Sequence, residues 1–72
     1  MTDEMRKYYA SIDTAVSGAE MRSLPMSRYE VIKKWAEDDV RAESKTRDPK
    51  EFQSDVEYRI YLLLVVDYSK AV

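Results

Sequence analysis

The sequence contains no cysteine, no histidine and only one glycine. Without cysteine no disulfide can stabilise the fold, and without histidine the commonest metal ligand is missing. Histidine is also the side chain that most often performs general acid–base catalysis near neutral pH. A single glycine cannot form a glycine-rich phosphate-binding loop. We therefore expect a protein that is not an enzyme, with no catalytic residues, no cofactor and no metal site.

The chain is short, with 72 residues and a formal net charge of −2. We expect a single helical domain over 1–72. A core of this size supplies only about 3–5 kcal/mol, so self-association is the expected stabilising route. The balanced charge and a pI of about 5.1 argue against a nucleic-acid partner. The acidic residues Asp3 and Glu4 are unlike the start of a secretory signal, so a cytoplasmic location is expected.

The periodic spacing of apolar residues predicts an all-α, three-helix protomer with helices over about 3–18, 28–45 and 49–69. The first helix is expected to begin at a cap formed by Thr2 or Asp3. Gly18 either ends this helix in a left-handed conformation or lies inside it. The second helix is predicted to begin at Ser27, which forms an S-x-x-E capping box with Glu30.

The third predicted helix contains the most apolar stretch of the chain, Ile60 to Val66. Its expected start is Asp48, followed by Pro49 at the first helical position and by Glu51 in a second capping box. The alternative for this stretch is a buried strand over 58–68, because Val, Ile and Tyr favour strands. The run is far shorter than the ~20 apolar residues that a membrane span needs, so no membrane partner is predicted.

A helix that is apolar on all sides must be buried on all sides. In a chain this short, two other helices are expected to cover only part of its circumference. We therefore predict a symmetric homodimer that forms mainly through the C-terminal helix. The predicted interface residues are Ile60, Tyr61, Leu63, Leu64, Val66 and Tyr68.

The sequence is rich in aromatic side chains, with six tyrosines and one tryptophan. Tyr and Trp anchor protein interfaces because each combines a large apolar area with one polar group. Two interpretations stay open: these side chains line the edge of the core, or several of them contact a partner. The candidate partner-binding residues are Tyr8, Tyr9, Tyr29 and Trp35.

Two functions are compatible with this pattern. The first is a small cytoplasmic protein-interaction module that acts as a homodimer and regulates or inhibits a larger protein, as would suit a phage- or plasmid-encoded inhibitor. The alternative is a dimeric DNA-binding transcriptional regulator that resembles the ribbon-helix-helix arrangement over 20–69. Its strand, from Glu20 to Met26, would carry Arg22 as its one basic residue, so its binding to phosphates would be weak.

Overall fold

The computed structural model describes residues 1–72 and contains helices without any β-strand. In chain order the elements are α1 (Asp3–Ala10), α2 (Gly18–Met21), α3 (Met26–Arg41), a 3-10 helix (Pro49–Glu51) and α4 (Asp55–Ala71). The prediction of an all-α fold with three main helices is confirmed by α1, α3 and α4. The strand alternative for 58–68 is wrong, because α4 spans these residues.

The first helix is shorter than predicted. The hydroxyl of Thr2 caps its first turn as expected, but α1 ends at Ala10 and does not reach 18. The residues that follow include the β-branched Ile12, Thr14 and Val16, which are half-buried while the residues between them are exposed. β-branched side chains lose χ1 freedom in a helix, and their alternation suits the non-helical segment that is found here.

The short helix α2 starts where the first helix was predicted to end. Ser17 Oγ accepts a hydrogen bond from Glu20 N, and Glu20 Oε1 accepts one from Ser17 N, both at 3.1 Å. This capping box makes Gly18 the first residue of α2, so neither role predicted for Gly18 is correct. The strand from Glu20 to Met26 that the DNA-binding alternative requires is also not formed, because α2 and the start of α3 occupy its ends.

The start of α3 is set by Pro25 instead of the predicted cap Ser27. The carbonyl oxygen of Pro25 accepts hydrogen bonds from Arg28 N and Tyr29 N, both at 3.0 Å. The proline ring fixes φ, here at −58°, close to a helical value. The helix consequently begins at Met26, one residue before Ser27, and the predicted capping box at Ser27 does not form.

The C-terminus of α3 is closed by a Schellman motif, four residues before the predicted end at 45. Glu43 N donates to Val40 O and Ser44 N donates to Asp39 O, both at 3.0 Å. Glu43 takes the left-handed position of this motif, with φ of 51°. The chain after Ser44 then passes Tyr8 of α1 and Tyr61 of α4, whose hydroxyls accept hydrogen bonds from Thr46 N and Arg47 N.

Asp48 is an N-cap, as predicted, but it caps the 3-10 helix and not α4. Asp48 and Glu51 form a capping box, which closes only the single turn of the 3-10 helix. The backbone of Phe52 is then extended, and α4 begins after Ser54, whose side chain caps it. α4 continues to Ala71, beyond the predicted end at 69.

The core lies mainly between α3 and α4, and α1 also packs against α4. Ile60, Tyr61 and Val65 have no exposed surface, so much of the apolar run of α4 is enclosed within one chain. The buried cluster comprises Tyr9, Ile32, Ala36, Val40, Ile60, Tyr61, Leu64 and Val65.

The segment between α1 and α3 is attached to α4 by Arg59. Its guanidinium donates to Ala15 O and Glu20 Oε1, both at 3.1 Å, and to Asp55 Oδ2 at 2.9 Å. The hydrogen bonds from Arg59 and from the backbone of Ser17 lower the pKa of Glu20 from 4.5 to about 2. The ionised form of Glu20 therefore stabilises the fold.

This pKa shift predicts a loss of stability in acid. The folded pKa of Glu20 lies below its unfolded value, so its contribution is complete above pH 4.5 and disappears as the pH falls towards 2. Urea unfolding across this range should show a smaller loss in Glu20→Gln than in the wild type, because the amide does not titrate. The control is Glu4→Gln, at an exposed position of α1. Equal losses in wild type and Glu20→Gln would contradict this role.

Candidate functional site

Three tyrosine hydroxyls hold the loop between α3 and the 3-10 helix. Tyr9 Oη donates to Ser44 O at 2.6 Å. Thr46 N donates to Tyr8 Oη at 3.0 Å. Buried backbone groups need hydrogen-bond partners, and these bonds supply them in a segment without regular structure. Tyr8 and Tyr9, both proposed as partner contacts, thus have structural roles here.

The third of these hydroxyls belongs to Tyr61 and is hydrogen-bonded to a partly buried pair of charged residues, Asp39 and Arg47. Arg47 N donates to Tyr61 Oη at 3.1 Å, and Tyr61 Oη donates to Asp39 Oδ2 at 2.5 Å. Asp39 also accepts from Arg47 Nε at 2.9 Å and Nη2 at 3.2 Å. Burial, and then the hydrogen bond to Asp39, raise the pKa of Tyr61 above its ordinary value of 10. The hydroxyl therefore stays protonated at neutral pH and acts as a fixed donor.

A second polar pair joins the N-terminal turns of α3 and α4. Arg28 Nε donates to Glu57 Oε2 at 3.0 Å and Arg28 Nη2 to Glu57 Oε1 at 2.9 Å. Glu57 is 3% exposed and also accepts from Gln53 N at 3.1 Å. The hydrogen bond from Arg28 lowers the pKa of Glu57 despite its burial. Both carboxylate oxygens of Glu57 thus accept hydrogen bonds, three in all, which compensates the burial of its charge.

The candidate partner-binding residues differ in how much surface they offer. Tyr9 is 1% exposed and belongs to the core. Tyr8, Tyr29 and Trp35 are half-buried. The indole of Trp35 lies edge-on to Phe52, with ring centroids 5.6 Å apart, and Arg47 lies 4.6 Å from its ring centroid. Trp35 therefore reaches both the core edge and the surface.

The six residues predicted to form the dimer interface differ in the same way. Ile60 and Tyr61 are fully buried within one chain, and Leu64 and Val66 are each 9% exposed. These four side chains offer a second copy almost no surface. The remaining two, Leu63 and Tyr68, are half-buried. A dimer through this helix stays a prediction that now depends on Leu63 and Tyr68.

The largest surface depression lies on the outer side of α3. It is open to solvent and is lined by Glu30, Val31, Lys33, Lys34, Trp35, Glu37 and Asp38. Val31 is 37% exposed, whereas the neighbouring Ile32 is fully buried. The helical spacing contained a signal for this: Val31 precedes the buried Ile32 by one residue, about 100° around the helix.

The outer side of α3 carries charged side chains next to two apolar ones. Its polar groups are exposed charges of both signs, and its apolar groups are Val31 and part of Trp35. No group of three or more Asp or Glu side chains in the chain is placed to share a metal ion. None of the helices combines the length and apolar character that crossing a membrane requires.

Comparison of the chain with protein-family models, with curated proteins and with solved structures gives no match. Inference about function therefore depends on the geometry of the surface of α3.

Proposed function

We propose that this chain is a protein-interaction module that acts as a homodimer and regulates or inhibits a larger protein. The observation that carries the proposal is the outer side of α3, where Val31 and Trp35 lie in an open depression with a charged rim. Apolar and aromatic groups surrounded by polar residues are typical of protein contact sites. The charged rim offers a partner both donors and acceptors.

The helix that carries this surface is held rigidly. Ile32, Ala36 and Val40 anchor its inner side in the core, and Arg28 joins its first turn to α4 through Glu57. A surface on a rigid helix loses little conformational entropy when it binds, which favours affinity. Its residues therefore contact a partner without first having to become ordered.

The DNA-binding alternative lacks the element that defined it. A ribbon-helix-helix protein reads DNA with a strand, and Gly18–Met21 form a helix instead. With a net charge of −2, electrostatic attraction to phosphates is weak. We do not propose this function.

Photocrosslinking tests the proposal in cells of the organism that encodes the chain. A benzoylphenylalanine at position 34, in the depression, should form adducts heavier than twice the 8.5 kDa chain mass. The same residue at position 50, exposed on the 3-10 helix, should not form them. Identical adducts at both positions, or none above twice the chain mass, would contradict a larger partner at this surface.

A further inference from the structure

The charged residues on the outer side of α3 follow an order that reverses sign about the middle of the helix. From the N-terminus the order is one acid, two bases, two acids and one base. The midpoint lies between Trp35 and Ala36. Each acid on one side of this point has a base at the same distance on the other side. The pairs are Glu30 with Arg41, Lys33 with Asp38, and Lys34 with Glu37.

These charged side chains can form ion pairs with another molecule in place of those within the chain. Five of the six residues are exposed, and Glu37 is half-buried. Within the chain, Arg41 Nη2 lies 2.6 Å from Glu37 Oε1 and Lys34 Nζ lies 3.6 Å from Asp38 Oδ1. Exposed pairs of this kind contribute little to stability, so replacing them with pairs between two molecules costs the fold little.

If α3 of a second copy runs antiparallel to the first, the charges of the two helices attract each other. With the two midpoints facing each other, Lys33 and Lys34 of one copy lie beside Glu37 and Asp38 of the other. Glu30 of each copy lies opposite Arg41 of the other. A parallel copy would place like charges opposite each other. An antiparallel arrangement has a twofold axis, the commonest symmetry of dimers.

The same arrangement brings the apolar groups together. The twofold axis would pass beside Trp35, and the two Trp35 residues would lie about 1.5 Å apart along the helix direction. The twofold axis leaves each side chain on the same side of the contact in both copies. Val31 of each copy therefore lies on the same side as the two Trp35 residues. Trp35 and Val31 of both copies then lie along one edge of the contact, beside the charged pairs, because Trp35 lies about 160° around the helix from Lys33.

We propose that the outer side of α3 binds α3 of a second copy in an antiparallel, twofold-symmetric contact. This inference rests on the proposed function, because it names one partner of the same surface. It differs from the predicted dimer through α4, most of whose apolar side chains are enclosed by the chain itself. A second copy and a larger partner would compete for this surface, so each excludes the other. If self-association fails, the heavier adduct at position 34 is still expected, and if that adduct fails, self-association of the purified chain is still expected.

Charge reversal tests the contact with purified protein. The acidic variant is Lys33→Glu/Lys34→Glu and the basic variant is Glu37→Lys/Asp38→Lys. In a dimer of either variant, all four of the inner charge pairs become repulsive. Each is expected to raise the dissociation constant of the dimer roughly 10- to 100-fold, measured by sedimentation equilibrium. Circular dichroism checks that both variants keep the wild-type helix content.

The decisive sample is an equimolar mixture of the two variants. In the mixed dimer every inner acid again faces a base, so the mixture should associate at least as tightly as the wild type. The single-chain variant with all four substitutions keeps the reversing order and should also form a homodimer. The proposal is overturned if the wild type is monomeric throughout a concentration series, if both double variants dimerise like the wild type, or if their mixture stays monomeric.

Discussion

We expect Val65→Asp to abolish cooperative folding and Leu63→Asp to leave the chain folded. Val65 has no exposed surface and belongs to the core cluster. Burying an unpaired carboxylate there is expected to cost more than about 4 kcal/mol. That cost is similar to the whole stability expected of a core of this size, about 3–5 kcal/mol. The measurement is the loss of helical circular dichroism and of a sigmoidal urea transition.

Leu63→Asp is the matched control on the same helix, two residues away. Leu63 is half-buried and lies outside the core cluster, so its new carboxylate can stay hydrated. We expect a lower urea midpoint but a cooperative transition. A chain that unfolds equally in both variants would mean that α4 is not enclosed in the orientation described.

Replacement of Tyr61 has the second large expected effect, in two separable parts. Tyr61→Phe removes the hydroxyl that donates to Asp39 and accepts from Arg47 N. Leaving these groups without a partner should cost about 1–3 kcal/mol. Tyr61→Ala also removes a fully buried ring that packs 4.9 Å from Phe52, centroid to centroid. The resulting cavity raises the cost to about 3–5 kcal/mol or more, enough to leave most chains unfolded.

Tyr58→Phe provides the control for the hydroxyl. Tyr58 is half-buried in the same aromatic cluster, 5.5 Å from Phe52, but its hydroxyl has no hydrogen-bond partner within the chain. Its urea midpoint should therefore match that of the wild type. If Tyr61→Phe is as stable as Tyr58→Phe, the hydroxyl of Tyr61 does not hold the loop.

The local signals in the sequence were sufficient for the fold class but not for the helix ends. Three S-x-x-E patterns occur, starting at Ser17, Ser27 and Ser54. The sequence interpretation relied on the one at Ser27, which does not cap a helix, and missed the caps at Ser17 and Ser54. The pattern at Ser27 differs from the other two because Pro25 is already the N-cap of α3, so Ser27 lies inside the helix.

Local sequence patterns could not predict how completely the rest of the chain buries α4. The chain between α1 and α3 is tied to α4 by Arg59, which bonds Ala15 in the irregular segment and Glu20 in α2, both far away in the sequence. Two of the candidate partner-binding tyrosines instead hold a loop, since the hydroxyls of Tyr8 and Tyr9 form hydrogen bonds with its backbone. Helical periodicity cannot reveal contacts between residues that are distant in the chain and lie in segments without regular structure.

Only part of the candidate surface could be predicted from the sequence. Trp35 was singled out as a partner contact by residue type alone, and it does line the depression on α3. Val31, which also lines it, was not among the candidate residues. The order of charges along this helix was visible, but its meaning depends on knowing which side of α3 the core occupies.

A concentration series of nitrogen-15-labelled protein, followed by two-dimensional NMR, tests the central claim most directly. We expect the amide signals of residues 30–41 and the indole signal of Trp35 to shift as the concentration rises. The signals of Leu63 and Tyr68 should stay in place. Shifts confined to Leu63 and Tyr68 would place self-association on α4, and no shifts at any concentration would mean that the surface of α3 does not bind a second copy.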